Sequence, residues 1–243
     1  MTMREPRQSA GMRLRAHGLK MAATLVALLS SGAAAMAADC RADPEPGLDW
    51  GGCNRSNIMI PGSNLEKADL RGADFSLSDL SGAVLAGANA QGAKLARTSL
   101  AGAIADAADF TQIEGYRTNF SGLSAKGASF DGAELQRANF NGAVLTGASF
   151  EKAELGRADF TGAILGENGF AFANLARASF KNARIESPLD FSRAYMFLTR
   201  IEGADLSAAK GLTQPQIDLA CGDEATKLPT GLNPPANWPC PFD

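Results

Sequence analysis

The stretch Ala128-Ser129-Phe130-Asp131-Gly132-Ala133-Glu134-Leu135-Gln136-Arg137-Ala138-Asn139-Phe140-Asn141-Gly142-Ala143-Val144-Leu145 decides the fold. An alanine is followed two places later by Phe or Leu, and the pair recurs every five residues. The pattern runs in one register from Ser63/Leu65 to Ala183/Ile185. Over those 25 steps the small position is Ala in 18, and the larger position, the centre, is Leu, Phe or Ile in 21. A five-residue period matches neither the 3.6-residue turn of a helix nor the two-residue alternation of a strand. It requires a repeat architecture whose units stack on their neighbours.

If five residues make one side, four sides make a coil of 20 residues. Features tied to one face should then recur every 20 positions, and they do. Arg97, Arg117, Arg137, Arg157 and Arg177 fall 20 apart, as do Gly82, Gly102, Gly122, Gly142 and Gly162. From Phe130 to Phe180 the centres alternate between Phe and Leu. Phe110, Phe130, Phe150 and Phe170 form one column, and Phe120, Phe140, Phe160 and Phe180 form the opposite one. The glycine column sits at the third position of a four-residue corner, where a type II turn needs a positive φ. The arginine column predicts a different turn type.

The array resembles the pentapeptide-repeat family, whose motif is A-(D/N)-L-x-x. Direct matches are Ala68-Asp69-Leu70, Ala73-Asp74-Phe75, Ala138-Asn139-Phe140, Ala158-Asp159-Phe160 and Ala173-Asn174-Leu175. The resemblance covers about 150 residues. It implies an all-β fold, a right-handed quadrilateral parallel β-helix with the Ala and the centre pointing inward. Family members have many roles, and some shield a topoisomerase by mimicking DNA.

Two irregularities stand out. Ile113 and Leu123 occupy small positions while their centres are Gly115 and Ala125, an exchange that keeps core volume nearly constant. It predicts local repacking, or else a bend or ligand notch near Glu114–Ala125. After Ile185 the next centre is Phe191, six residues on, which predicts an outward bulge at Ser187-Pro188.

The flanks read differently. Residues 1–37 carry Arg4, Arg7, Arg13, Arg15 and Lys20, then the apolar run Met21 to Leu29, then Ala35-Met36-Ala37, an export-signal pattern with cleavage after Ala37. Of 23 Lys/Arg and 26 Asp/Glu, five and one lie in that segment, so the remainder holds 18 and 25, a net charge near −7. That charge disfavours nucleic-acid and acidic-membrane partners, and no stable membrane insertion is expected after cleavage. The expected organisation is a signal at 1–37, an N-terminal cap at 38–59, the repeat array at 60–206 and a C-terminal cap at 207–243. Trp50 can lie over the first turn. In the C-terminal segment, Thr213 as N-cap, Gln216 completing a capping box, Leu212 stapled to Ile217 and Gly222 as a stop predict a short capping helix over 214–221. The stretch Gly211 to Leu228 also resembles the C-terminal cap of exported pentapeptide-repeat proteins.

Cys40 and Cys53 precede the array, and Cys221 and Cys240 follow it. An exported protein can oxidise them. Of the three possible pairings, proximity favours Cys40–Cys53 and Cys221–Cys240. The only histidine, His17, lies in the expected signal, so the mature chain has no ordinary base that titrates near neutrality. No G-x-S-x-G elbow or phosphate loop occurs. No cofactor or metal is expected, and the chain reads as non-enzymatic and periplasmic or extracellular. The outward residues Val84, Ile104, Val144 and Ile164 form an apolar stripe, the candidate face for a protein partner or for self-association. The arginine column beside Glu114, Glu134 and Glu154 predicts a ladder of salt bridges, with an anionic-ligand track as the other reading. A cytoplasmic DNA-mimic and a carbohydrate-active β-helix enzyme are the alternatives to an exported scaffold.

Overall fold

A computed structural model describes residues 38–240. The expected signal, 1–37, and residues 241–243 lie outside the described residues. Within the described chain, residue i pairs with residue i+20 in parallel on four separate ladders. One lap therefore takes 20 residues and has four walls. Outward residues of the first wall run Asp49, Asp69, Asn89, Asp109, Ser129, Ser149, Gly169, Asp190 and Lys210; those of the second run Asn54, Asp74, Lys94, Glu114, Glu134, Glu154, Asn174 and Tyr195. The third wall runs Met59, Asp79, Ser99, Asn119, Asn139, Asp159, Ser179, Arg200 and Cys221. The fourth runs Asn64, Val84, Ile104, Ser124, Val144, Ile164 and Arg184.

Each wall is too short to be a conventional strand. Two of every five residues make the corner, two point inward, and one bridges outward. Only β1 (Ile164–Leu165) and β2 (Arg184–Ile185) extend to two paired residues. Backbone groups are nonetheless satisfied from coil to coil. Glu134 N–H donates to Ile113 O in one neighbour at 2.9 Å, and Leu135 N–H donates to Glu154 O in the other at 2.8 Å. A single coil would leave these groups unpaired, so stability comes from stacking.

Most corners of the array close the same way. Ala138 N–H donates to Leu135 O, three residues back, and Ala143 N–H to Phe140 O. From Gly47 to Asn182, every fifth residue has a positive φ, between 53° and 75°. A positive φ confined to the third turn residue defines type II. The arginine corner is therefore a type II corner like the glycine corner, with φ of 58° at Arg97 and 60° at Arg137. The expectation of a different turn type there is corrected. A stacked sheet needs all four corners to advance by the same rise, and this constraint outweighs the preference of an individual residue. Holding a non-glycine residue in this region costs roughly 1 kcal/mol.

The core is one continuous column from Leu48 to Ile217. Phenylalanines of the first wall stack face to face, as at Phe130–Phe150, with centroids 4.9 Å apart and planes 3° apart. Those of the third wall do the same, as at Phe140–Phe160. Across the tube the columns meet edge to face, as at Phe150–Phe160, 5.6 Å apart at 89°. Both geometries suit the aromatic quadrupole. Leucines from the second and fourth walls fill the remaining space. At the exchanged positions Ile113, Leu123 and Ala125 are fully buried, and both ladders run through them without a break. A Cβ on Gly115 would come within 2.8 Å of Leu135 Cδ2, which explains the missing side chain. The exchange is a repacking, with no notch.

The ends depart from the pattern. The ladder begins at Asp49, within the segment expected as a cap, and Trp50 occupies a centre. Trp50 is wholly buried, tilted against Phe75 at 6.0 Å, with the Arg55 guanidinium 4.0 Å above its ring. It is part of the first coil rather than a lid over it. Cys40–Cys53 ties the preceding loop to this coil, and Arg55 Nη1 donates to Cys40 O. After Ile185 the pairing lengthens to 21 residues, as in Gly169↔Asp190 and Asn174↔Tyr195. Pro188 is exposed there while Leu189 is buried.

Helix α1 (Gln214–Leu219) follows the last regular coils. Gln216 Oε1 accepts from Thr213 N–H at 2.9 Å. Its Nε2 donates to Phe191 O and Ala194 O, both at 2.9 Å. The helix ends at Leu219, short of the expected 221. Gly222 is not in the left-handed region and so is no stop signal of that kind; its lack of a Cβ makes room for the Trp238 ring, which a Cβ would approach to 2.3 Å. Trp238 Nε1 donates to Ala220 O, and Cys221–Cys240 closes the same loop.

Candidate interaction surface

The five-residue side sets what each outward residue can do. On the first and third walls it is mostly Asp, Asn or Ser, and the side chain bonds back to its own corner. Asp109 Oδ1 accepts from Thr111 N–H at 2.9 Å, Asn139 Oδ1 from Asn141 N–H at 2.9 Å, and Asp159 Oδ1 from Thr161 N–H at 2.9 Å. These are Asx turns. They give the Asp/Asn of the motif a structural role, so its abundance is no sign of paired catalytic carboxylates. Such bonds favour the ionised carboxylate. The Asp79 carboxyl is held below its usual range by the hydrogen bonds from Ser81, and Asp74 by those from Ser76. At Asp69 the Arg71 guanidinium does most of this, with Nε 2.8 Å from Oδ1. In the last coil, the Lys227 ammonium and Ser207 lower the Asp205 carboxyl to about 2.

The middle coils of the other two walls carry no such bonds. On the fourth wall Val84, Ile104, Ser124, Val144 and Ile164 stack in register. Ile104 is 46 % exposed, and Val84, Val144 and Ile164 are partly buried against their neighbours. Ser124 interrupts the row and donates to Asp106 Oδ1 at 2.6 Å. The four expected stripe residues therefore share one wall. On the second wall Lys94, Glu114, Glu134 and Glu154 are exposed.

The five arginines line the corner between the second and third walls, all exposed. Among the described residues no ion pair joins them to Glu114, Glu134 or Glu154. The pairs that do form lie elsewhere, as at Lys67–Glu66 and Arg184–Glu186. The expected salt-bridged ladder is corrected. The arginines stand at a corner and the glutamates on a wall, a difference that a 20-residue spacing alone does not reveal. Among the described residues, Arg117 of the five has its guanidinium over an aromatic ring, 5.2 Å from the Tyr116 centroid.

Some residues that matter were not singled out from the sequence. Asn168 is fully buried at a small position, where its Nδ2 donates to Leu145 O at 2.6 Å and Ala148 O at 2.8 Å. Thr98 and Thr118 similarly donate to Phe75 O and Leu95 O. A polar residue at a position otherwise held by Ala was the available signal. Among the described residues no group of His, Cys, Asp and Glu could hold a metal ion, and no helix is long and apolar enough to cross a membrane.

Comparison with known proteins places the array. The family model for pentapeptide repeats, in eight copies, matches residues 63–100, 78–113 and 128–166. No curated protein matches. A trypsin-treated variant of QnrB1, a plasmid-mediated fluoroquinolone resistance protein, aligns over 77% of this chain and 93% of its own, with 21% identity and a TM-score of 0.56. HetL, involved in heterocyst differentiation regulation in the cyanobacterium Nostoc, aligns over 76% and 91%, with 23% identity and a TM-score of 0.29. A thylakoid-lumen protein from Arabidopsis thaliana aligns over 53% and 69%, with 22% identity and a TM-score of 0.21. The first likeness establishes the β-helical solenoid and nothing about activity. With their 20-residue four-walled coils and these family matches, residues 63–113 and 128–166 are pentapeptide repeats.

Proposed function

We propose that the protein is a non-enzymatic, exported interaction scaffold: a rigid rod with disulfides at both ends that presents a different chemical ladder on each wall. One observation carries the reading. The fourth wall exposes a stacked aliphatic row, while the first and third walls turn their outward groups back onto their own corners. That row is the contact face for a protein partner or a second copy. The reading takes 1–37 as a removed signal, 38–59 and 207–243 as end segments and 60–206 as the array, with a periplasmic or extracellular home. Cys40–Cys53 and Cys221–Cys240 support an oxidising compartment.

Pull-downs from the native envelope fraction, alongside sedimentation velocity, compare the wild type with Val144→Lys/Ile164→Lys. Loss of a partner or a smaller assembly is the expected result. Unchanged partners and an unchanged assembly size remove the stripe from the account. The acidic balance of residues 38–243, 18 Lys/Arg against 25 Asp/Glu, also favours a cytoplasmic DNA-mimic that shields a topoisomerase. Fractionation separates the two readings, because an uncleaved cytoplasmic product fits only the DNA-mimic.

A further inference from the structure

The arginine corner shares its left-handed backbone with the other corners, but it carries a column of cations that folding does not explain. The equivalent corner between the third and fourth walls uses glycine in coil after coil, with φ near 65° at Gly102 and Gly142. At the arginine corner five successive coils place a long cationic side chain in that same left-handed conformation. Yet among the described residues these guanidinium groups make no hydrogen bond and no ion pair. An exposed column of like charges, in which the Tyr116 ring beside Arg117 is the one side-chain contact among the described residues, is suited to an anion outside the molecule.

The surroundings restrict what that anion is. Coils are spaced at about 4.8 Å, so the charges repeat regularly along the axis. On one side stand Glu114, Glu134 and Glu154, exposed carboxylates of the second wall. On the other stand the amides Asn119 and Asn139, partly buried on the third. A polymer charged on every side would meet the glutamates as well as the arginines. A polymer with anions along one edge and hydroxyls along the other would place its anions on the arginines and donate its hydroxyls to the glutamates. Exposed rings also border the column. Tyr116 is 40% exposed beside Arg117, and Phe197 is 38% exposed one coil beyond Arg177. Flat apolar rings beside polar acceptors suit the faces of pyranose sugars.

We propose that the arginine corner and the adjoining face of the second wall bind a linear acidic polysaccharide, a uronate polymer carrying one carboxylate per sugar. A sugar unit is close to one coil in length, so the carboxylates presented on the facing side of the polymer meet arginines of the corner as charge-assisted pairs. This surface is distinct from the aliphatic row of the fourth wall, and one can fail without the other.

The test uses the full chain as isolated and size-graded oligogalacturonates, with neutral cello-oligosaccharides and inorganic polyphosphate as comparison probes, in isothermal titration calorimetry at low and physiological salt. Uronate binding should strengthen with length up to about five sugars, one per arginine coil, and weaken with salt. Arg137→Gln/Arg157→Gln should lose at least about tenfold in affinity, with an unchanged urea midpoint that separates lost contact from lost fold. Val144→Lys/Ile164→Lys should bind as the wild type does. Polyphosphate binding as tight as uronate binding, no uronate binding at low salt, or full affinity in the arginine double variant each overturns the proposal.

Discussion

The first and third walls differ from the second and fourth in the same way through most coils of the middle array. Inside, the first and third carry the stacked phenylalanines; outside, they carry Asp, Asn or Ser bonded to their own corners. The second and fourth carry Leu, Ala or Gly inside, and outside they carry charged or aliphatic groups with no comparable bond. One pair of walls is committed to holding the coil. The other pair is free to vary, and both candidate surfaces, the aliphatic row and the arginine corner, include one of the free walls.

The largest expected effect tests the committed interior. Phe150 stacks on Phe130 and Phe170 and meets Phe140 and Phe160 edge on. Phe150→Ala should cost about 3–5 kcal/mol in urea unfolding. Val144→Thr, six residues earlier on a free wall, should stay within about 0.5 kcal/mol. Similar losses at both sites would erase the distinction.

A smaller effect separates charge from hydrogen bonding at the corners. The carboxyls of Asp69, Asp79 and Asp205 titrate below their ordinary range when folded. Their contribution to stability is therefore complete above the ordinary carboxylate pKa and is lost on acidification, for Asp205 as the pH falls through about 2. Urea midpoints should decline between about pH 4 and pH 2. Asp79→Asn keeps the acceptor oxygen but loses the charge, so it should lower neutral-pH stability slightly and remove part of that decline. An identical pH profile in the variant would show that the ionised form is not what the Ser81 hydrogen bonds select.

Much of this architecture is legible in the sequence because a strict period ties chemistry to position. Twenty-residue recurrence placed Val84, Ile104, Val144 and Ile164 on one wall and the five arginines on one corner. It could not give the turn type at those arginines, because the shared rise of the stack imposes a positive φ that residue preference alone would not suggest. Nor could it reveal that Glu134 stands on a wall while Arg137, three residues on, stands at a corner and forms no ion pair with it. The ends were less legible because their determinants are single contacts. Trp50 lies in the first coil, Gly222 makes room for Trp238, and Gln216 reaches back to two carbonyls of an earlier coil. None of these repeats, so no period announces them.

The most direct test of the division between walls is a matched pair of triple variants in urea denaturation. Asn119→Ala/Asn139→Ala/Asp159→Ala removes three outward acceptors from the third wall, and Val84→Thr/Val144→Thr/Ile164→Thr changes three outward residues of the fourth. The account predicts a loss of about 3 kcal/mol for the first, roughly 1 kcal/mol per lost hydrogen bond, and a much smaller change for the second. Equal losses, or a greater loss from the fourth-wall variant, would contradict it.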